Sequence, residues 1–299
     1  MKKQLKGVLG PVVTTFDSSS GELDLASFAA NVRAHCAAGL HGVVVGGSTG
    51  EAALLDAAER GALVTAAREA TPADKWLIVG TGAESTRSCL QLTRDAASRG
   101  ADAVLVVAPH YYGSAMTDAA LLQHYRRVAD DSPVPVMLYT IPKYMHFALS
   151  APLVAELAEH ENIIGMKDSS GNRELFAGYM PIQSPTFAVL TGNAQMFNHA
   201  LTTGSPGAIL AASLFAAALA LEIYDSSAAG DRGSSEAAQA RMTPLGAKIV
   251  GELGVPGVKG AMDRVGLAGG PVRAPLQPLA AGQGSVIDEY LRSAELATA

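Results

Sequence analysis

The chain has 299 residues, of which 48% are hydrophobic and 17% are charged, and its formal net charge is −6. This composition suits one large α/β domain or two ordinary ones and excludes a disordered chain. Lysines and arginines are scattered through the sequence and form no basic stripe. Nucleic acid is therefore not an expected partner.

Short β-branched runs alternate with amphipathic stretches along most of the chain. The eight predicted strands are Gly7–Thr14, Gly42–Gly46, Trp76–Gly80, Ala103–Ala108, Val134–Tyr139, Ile163–Lys167, Phe187–Thr191 and Gly207–Ala211. The clearest predicted helices are Leu25–Ala38, Ala57–Glu69, Thr86–Ser98, Asp118–Ala129 and Ala151–Glu159, with N-caps at Asp24, Asp56, Ser85, Thr117 and Ser150.

Strands that alternate with helices predict a parallel sheet, because each parallel crossover needs a helix. Eight such units in a chain of this length favour a closed (β/α)8 barrel. A doubly wound open sheet is the main alternative. Such a sheet usually carries a glycine fingerprint after its first strand, and Pro11–Phe16 contains none.

Two apolar segments raise the question of a membrane or a secretion signal. Gly7–Val13 is too short and too broken by glycine and proline for a signal-peptide core. Ala200–Leu221 carries no charge, but Gly204–Gly207 interrupts it, which predicts a strand followed by an alanine-rich helix. Cys36 and Cys89 form no CxxC pair and predict buried thiols in a reducing compartment. We therefore expect a cytoplasmic protein without a membrane partner.

Residues beyond the eighth unit predict a helical extension. Ser234–Glu252, Pro256–Val265 and Ser285–Leu296 have helical patterns, and Gly269–Leu276 is typical of a turn. The small polar residues of Asp225–Ser235 predict a surface loop. We therefore divide the chain into a barrel over residues 1–226 and an extension over residues 227–299 that packs on it.

Lys167 is the most informative candidate for chemistry. It ends the apolar run Ile163–Met166, and polar turn residues follow it, so it is predicted at the C-terminal end of a buried strand. Burial among apolar neighbours disfavours the charged form of an amine. A neutral amine is a nucleophile that forms a Schiff base with a carbonyl compound. The alternative is a lysine that ends a strand and points into water, which is more common for a lone lysine.

Active sites of (β/α)8 barrels lie at the C-terminal ends of the strands. Other strand ends of this sequence carry groups that complement such an amine. Gly46–Glu51 offers small residues, hydroxyls and amide N–H groups, which favour a carboxylate cradle, although a turn that caps a helix is an equal alternative. Side-chain alternation places Tyr139 and Lys167 on the same interior face of adjacent strands. A tyrosine there can move protons during imine chemistry, and a structural tyrosine is the alternative.

Several motifs occur in order at these strand ends and near the C-terminus. They are Gly47–Glu51, Pro109–Tyr112, Tyr139–Pro142, Gly165–Asp168 and Gly269–Leu276. With them the chain resembles the dihydrodipicolinate synthase / N-acetylneuraminate lyase family of class I aldolases, from Gly7 to about Leu279. The resemblance implies a (β/α)8 barrel, often a homotetramer, that binds pyruvate through a covalent lysine imine without a metal or an organic cofactor.

The resemblance also implies roles for individual residues. Lys167 matches the Schiff-base lysine, Tyr139 the acid/base tyrosine, and Ser48 and Thr49 the hydroxyls that hold the substrate carboxylate. Ser48, Tyr139 and Tyr112 match a proton relay in which Tyr112 comes from a neighbouring subunit. The carbonyl of a residue that matches Ile209 faces the lysine. The remaining expected substrate-binding residues are Gly50, Ser169, Gly192 and Lys143. Glu51 is expected to be structural.

One position departs from the synthases in the family. They place an arginine two residues after the proline of the fifth-strand motif, where it holds a second carboxylate, and Tyr144 stands there in this chain. Lys143 could hold a distant acid group, although lysine is a poorer bidentate partner than arginine. The segments Lys167–Gly171 and Gly269–Leu276 look closer to 4-hydroxy-2-oxoglutarate and 2-keto-3-deoxy sugar acid aldolases.

The sequence thus predicts a Schiff-base lyase that cleaves or forms a carbon–carbon bond between pyruvate and an aldehyde. A dihydrodipicolinate synthase-type condensation or a sugar-acid dehydration through the same imine is the alternative among enzymes. A non-catalytic homologue that binds a 2-oxo acid is the alternative from another class.

Overall fold

Eight parallel strands close into a barrel at the centre of the computed structural model, which describes residues 3–296. The strands are β1 (Gly7–Pro11), β2 (Gly42–Val45), β3 (Trp76–Gly80), β4 (Ala103–Val107), β5 (Val136–Thr140), β6 (Ile163–Asp168), β7 (Ala188–Thr191) and β8 (Gly207–Ile209). Each strand pairs with the next one in the sequence, and Leu9 of β1 pairs with Ile209 of β8 to close the ring. The predicted (β/α)8 barrel is confirmed.

Helices surround the strands and continue beyond them. The α-helices are α1 (Leu25–Ala37), α2 (Ala57–Ala70), α3 (Thr86–Ser98), α4 (Asp118–Asp131), α5 (Pro142–Met145), α6 (Ala151–Ala158), α7 (Arg173–Tyr179), α8 (Phe197–Thr202), α9 (Ala217–Ala228), α10 (Arg232–Pro244), α11 (Gly254–Arg264) and α12 (Gln283–Ser293). Short 3-10 turns lie at Ala52–Leu54, Gly113–Ala115, Met180–Ile182, Ala194–Met196 and Ala211–Leu214.

The starts of α1, α2, α3, α4 and α6 were predictable because each has a side chain that caps it. All five predicted N-cap residues accept a hydrogen bond from the first turn of their helix. At α2 the contact is reciprocal, since Asp56 accepts from the Glu59 N–H and Glu59 accepts from the Asp56 N–H. These bonds satisfy donors that the first helical turn leaves free.

The first strand is shorter than the predicted Gly7–Thr14. The Val12 N–H still donates to Val44, but β1 ends at Pro11. The Thr14 hydroxyl instead donates to the Gly50 carbonyl at 2.7 Å. The chain therefore leaves the barrel ladder in order to contact the turn that follows β2.

The predicted surface loop over Asp225–Ser235 is wrong. Helix α9 continues to Ala228 and α10 begins at Arg232, so only a short turn separates them. Asp231 caps α10 by accepting from the Ser234 N–H at 3.1 Å. The polar residues that suggested a loop mostly occupy exposed positions on two helices, and a single sequence pattern does not separate these cases. Since α9 crosses residue 226, we propose that the extension begins in the turn before α10.

The predicted helix over Ser234–Glu252 is divided into two kinds of helix. Helix α10 ends at Pro244, and Leu245–Glu252 forms a π-helix that leads to α11. Proline has no N–H for the helical ladder, so Pro244 is a natural point for the hydrogen-bond register to change. Segments of π-helix are rare and occur mainly at functional sites.

The two cysteines and the long uncharged segment belong to the barrel and its helices. Cys36 and Cys89 are both free and buried, as predicted. The uncharged segment Ala200–Leu221 is divided among the end of α8, β8 and the start of α9. Within residues 3–296, none of the helices is sufficiently long and apolar to cross a membrane.

Candidate active site

A cavity of about 160 Å³ lies at the C-terminal ends of the strands. Most of its lining comes from the barrel: Pro11, Ser48, Thr49, Tyr139, Ile141, Lys143, Tyr144, Lys167, Ser169, Gly192, Asn193, Ala194, Gln195, Ile209, Ala211 and Ala212. The π-helix and the region of α11 supply the rest: Gly246, Val250, Gly251, Gly254, Val255 and Val258. Ligand pockets commonly occupy about 300–1,000 Å³, so this cavity suits a substrate of few atoms.

Lys167 and Tyr139 are direct partners across two strands. They occupy the same register of β6 and β5, as side-chain alternation predicted. The Lys167 Nζ lies 4.5 Å from the centroid of the Tyr139 ring. Both side chains line the cavity, although Lys167 is only 6% exposed and Tyr139 only 4%. The amine is therefore enclosed by the barrel and open only to the cavity.

Gly192, directly after β7, leaves the space that the amine occupies. A Cβ at Gly192 would lie 2.6 Å from the Lys167 Cε and 2.0 Å from the Ser169 Oγ. The Gly192 N–H donates to the Asp168 carbonyl at 2.6 Å. Any larger residue at this position would displace Lys167, Ser169 or both.

The turn after β2 presents Ser48 and Thr49 to the cavity. Gly46 has a φ of 66°, which favours glycine because it has no Cβ. Gly50 does not line the cavity. Its N–H donates to the Gly47 carbonyl at 3.0 Å, and its carbonyl accepts from Thr14. Gly50 thus shapes the turn that carries the two hydroxyls, and its expected contact with the substrate stays a prediction.

Glu51 ends this turn with a buried charge. The backbone of Glu51 is left-handed, with a φ of 57°, and its Oε1 lies 2.6 Å from the Lys259 Nζ of α11. Its Oε2 accepts from the Arg273 N–H at 2.8 Å. Lys259 also donates to the Pro271 carbonyl at 2.6 Å, and burial lowers the pKa of Lys259. This pair ties the candidate cradle to the extension and agrees with the structural role expected of Glu51.

The Gly269–Leu276 segment secures the same junction outside the cavity. The Arg273 guanidinium lies 4.3 Å from the Phe16 ring centroid and donates to Glu59 at 2.7 Å. A Cβ at Gly269 would lie 2.0 Å from the Lys259 carbonyl. This segment therefore clamps the extension against α2 and the chain after β1, and makes no contact with the candidate substrate site.

Asp168 is buried on the opposite face of β6 from Lys167. Its two carboxylate oxygens accept from the Ser170 N–H and the Ser170 hydroxyl, both at 2.9 Å. Desolvation by burial raises the pKa of Asp168 to about 6, although the two hydrogen bonds oppose that change. A titrating carboxyl group thus lies behind the strand that presents the amine.

The part of the cavity away from the cradle was largely missed by sequence reasoning. Its wall includes Val250 of the π-helix and Val255 and Val258 of α11. Lys143 stands at its edge, where the Nζ donates to the Gly251 carbonyl at 3.0 Å. The only local signals for this wall are Pro244 inside a helical pattern and the glycines that follow it.

Tyr112 does not line the cavity of its own chain. It is 69% exposed, and its ring contacts Tyr111, which is 78% exposed, edge to face at 5.0 Å. Glu84 fixes the start of this loop by accepting from the N–H groups of His110 and Tyr111. A relay that includes Tyr112 therefore requires a neighbouring subunit, and this part of the prediction stays a proposal.

No cluster of three or more metal-ligating His, Cys, Asp or Glu side chains occurs among residues 3–296. The polar groups of the cavity are instead hydroxyls, side-chain amides and two amines.

Residues 4–293 match the model of the dihydrodipicolinate synthetase family. A 4-hydroxy-tetrahydrodipicolinate synthase of Stenotrophomonas maltophilia is 34% identical over 95% of this chain and 94% of that protein. The corresponding synthase of Methanospirillum hungatei is 33% identical over 91% of this chain and 93% of that one. A DapA-like lyase of Halobacterium salinarum is 36% identical over 92% and 89% of the two chains.

Solved structures agree with these sequence relatives. The dihydrodipicolinate synthase of Cyanidioschyzon merolae has a TM-score of 0.93 at 27% identity, covering 99% of this chain and all of that one (100%). The prophage protein YagE of E. coli, solved in complex with pyruvate, has a TM-score of 0.91 at 28% identity, covering 98% of this chain and 99% of that one. The chain therefore belongs to the dihydrodipicolinate synthetase family, a family of pyruvate-dependent lyases and synthases.

Proposed function

We propose that the protein is a class I lyase that cleaves or forms a carbon–carbon bond between pyruvate and an aldehyde. The observation that carries the proposal is the pairing of Lys167 with Tyr139 inside one buried cavity that Ser48 and Thr49 also line. The class of enzyme agrees with that of its family, and the residue roles and the reaction direction are our proposal.

The first step is binding of the 2-oxo acid. Its carboxylate lies in the turn after β2, where hydroxyl and amide N–H donors replace the water that it loses. This orients the ketone carbon toward the Lys167 Nζ. Ser169, Gly192 and Ile209, which line the cavity around the amine, define the space for the reacting carbon.

Lys167 then attacks the ketone as a neutral amine. The carbinolamine loses water to give an iminium between the Nζ and C2 of the substrate. Tyr139 supplies the proton that leaves with the carbinolamine oxygen and later takes a proton from the 4-hydroxyl. The C3–C4 bond breaks, its electron pair is accepted by the iminium, and the aldehyde departs from an enamine.

Protonation of the enamine at C3 and hydrolysis of the imine release pyruvate and restore Lys167. The reverse sequence joins pyruvate to an aldehyde, so one site serves lysis and synthesis. The reaction needs no electron acceptor, because the imine formed on Lys167 receives and returns the electron pair. Lys143 lines the rim of the cavity on the aldehyde side, where its Nζ donates to the Gly251 carbonyl.

A synthase is the second candidate, because the relatives from Stenotrophomonas maltophilia and Methanospirillum hungatei bear that name. Incubation with pyruvate and aspartate semialdehyde separates the two candidates, since only a synthase consumes both. Loss of water without carbon–carbon cleavage would identify a dehydratase that uses the same imine. Reversible pyruvate binding without any trappable imine would identify a non-catalytic binder.

We propose further that the enzyme is a cytoplasmic homo-oligomer, a dimer or tetramer. The exposed Tyr111 and Tyr112 rings support a subunit contact, because neighbouring large aromatic rings are rarely left in water. Two free buried thiols are compatible with a reducing compartment. Sedimentation of wild type and Tyr112→Ser would test the contact, and a Tyr112-dependent relay requires the variant to lose activity as well.

Borohydride reduction with pyruvate, followed by peptide mass mapping, tests the central claim. We expect a reduced pyruvyl adduct on the Lys167 peptide and none in Lys167→Ala, whose turnover should be undetectable while its thermal unfolding remains cooperative. Lys143→Ala is the matched control, since it removes the other amine that lines the cavity. Turnover that survives in Lys167→Ala, or an adduct on Lys143 instead, would refute the mechanism.

A further inference from the structure

The aldehyde side of the cavity has a distinctive lining. Where the barrel strands end, the π-helix and the region of α11 close the space with Gly246, Val250, Gly251, Val255 and Val258. These side chains are small and apolar and offer no hydrogen bond to a substrate. A carboxylate placed against them would lose its water and could gain only uncharged donors, from side chains such as Gln195, which lies beside Gly246, and Tyr144.

Only two of the described residues that line the cavity carry a positive charge, Lys167 and Lys143. Lys167 forms the imine in the proposed function. The Lys143 Nζ is held by the Gly251 carbonyl at 3.0 Å. A distal carboxylate would therefore have to displace a contact within the protein before Lys143 could bind it.

The Lys143–Gly251 contact has a cause in the sequence. Gly251 lies in the last turn of the π-helix, where carbonyls have no partner within the helix, and the residue five positions later is Pro256 of α11. Proline has no N–H to donate. Lys143 supplies a donor to a carbonyl that lacks its π-helical partner, so the amine connects α5 to the extension.

The start of α11 is the other source of positive potential near this wall, because a helix N-terminus favours anions. Here the third residue of α11, Pro256, has no N–H, and the Gly257 N–H donates to the Leu253 carbonyl at 3.4 Å. The first turn therefore offers fewer free donors than an ordinary helix start.

We propose that the aldehyde half of the substrate is uncharged and small, and that this wall of the cavity selects it against an aldehyde that carries a carboxylate. The inference rests on the proposed function, since it assigns the partner of the lysine imine. It distinguishes this chain from enzymes that recognise a second carboxylate with a dedicated cation.

Competitive trapping tests the inference without requiring turnover. Equimolar 2-oxopentanoate and 2-oxoglutarate, which differ only by a terminal methyl or carboxylate, are incubated with the enzyme and borohydride, and the two Lys167 adducts are quantified by mass. We expect the 2-oxopentanoate adduct to exceed the other by about tenfold or more, because a dry apolar wall rejects a charge more strongly than it distinguishes alkyl groups.

Two variants sharpen the test. Val255→Arg adds a cation to the wall and should raise the share of the 2-oxoglutarate adduct at least severalfold. Lys143→Met, which keeps the side-chain length but removes the charge, should leave that share unchanged. A loss of the 2-oxoglutarate adduct in Lys143→Met would show that Lys143 binds the distal carboxylate and would overturn the inference.

The other outcomes are equally decisive. Equal adducts in the wild type, or an excess of the 2-oxoglutarate adduct, would overturn the claim of an uncharged aldehyde. If pyruvate is trapped but neither 2-oxopentanoate nor 2-oxoglutarate is, the inference is also overturned, because the wall would then exclude any aldehyde half. Failure to trap pyruvate itself would count against the proposed function, which makes the two failures distinguishable.

Discussion

The two halves of the cavity are built from different parts of the molecule. The half that we assign to pyruvate carries Ser48, in the turn after β2, and Tyr139 and Lys167, which the register of β5 and β6 places side by side. The half that we assign to the aldehyde comes from the extension and the α5 region, and the wall that the extension supplies is apolar. In this proposal bond chemistry rests on the strand ends, while selection of the second substrate rests on the extension, which the Glu51–Lys259 pair joins to the turn after β2.

The sharpest test of the first half is Tyr139→Phe, which removes the phenolic oxygen and keeps the ring over Lys167. We expect the turnover number to fall by about 10²–10⁴-fold, as for loss of a general acid–base group, while pyruvate remains trappable. Stopped-flow and steady-state assays measure the fall. Tyr144→Phe, which alters the other tyrosine of the cavity, is the control and should reduce turnover by much less. Equal losses in the two variants would remove the special role of Tyr139.

The junction between the two halves is tested by Lys259→Met, which leaves the Glu51 carboxylate buried without its partner. We expect the free energy of unfolding to fall by about 3–5 kcal/mol, measured by urea denaturation. The double variant Glu51→Gln/Lys259→Met should recover part of that loss, because the isolated charge is gone. Lys248→Met breaks the exposed pair with Glu252 and should cost less than about 1 kcal/mol. Equal effects at the two lysines would contradict the assigned importance of the buried pair.

Asp168→Asn tests whether the buried Asp168 carboxyl group, on the opposite face of β6 from Lys167, destabilises the protein when it is charged. Because the pKa of Asp168 is raised from 3.8 to about 6 by folding, the protonated form is favoured in the native state. Its stabilising contribution is present below pH about 4 and is lost as the pH rises through 6. Asp168→Asn should therefore exceed the wild type in stability by up to about 3 kcal/mol at pH 8 and differ little at pH 4. Urea unfolding at both pH values measures this, with Asp74→Asn, at an exposed position, as control. A pH-independent difference would exclude the titration as its cause.

The smallest expected effect lies in the aldehyde half. Val250→Ala widens the wall without touching the strand ends, so trapping of pyruvate should be unchanged while kcat/KM for a cleavable substrate changes by about tenfold. Val265→Ala, outside the cavity lining, should leave both quantities near the wild-type values. A selective loss of pyruvate trapping in Val250→Ala would show that the two halves are not separable.

The first half could be predicted from the sequence because its signals are local. Helix caps fix where each βα unit begins, and alternation along β5 and β6 brings Tyr139 and Lys167 to one face. The five predicted caps and the pairing of these two side chains are confirmed. The predicted strand ends were less accurate. Strand β1 ends at Pro11, before the predicted Thr14, and the Thr14 hydroxyl donates to the Gly50 carbonyl.

The second half could not be predicted because its determinants are distant or subtle. The π-helix differs from an α-helix only in hydrogen-bond register, and Pro244 alone marks the change. The Glu51–Lys259 pair joins residues far apart in the chain, and periodicity carries no information about such contacts. Gly50 was expected at the substrate together with Ser48 and Thr49; those two line the cavity, whereas Gly50 does not and contacts Thr14.

The buried carboxylate of Glu51 also bears on how the protein is made. Its two partners from the extension are synthesised well after it, with Arg273 lying 222 residues later. At about 5–20 residues per second, the ribosome needs roughly 10–40 s to produce them after Glu51. During that interval the turn that carries Ser48 and Thr49 lacks its neutralising lysine, so a nascent barrel cannot settle its cradle. The turn that carries the candidate cradle therefore depends on a segment that is synthesised much later.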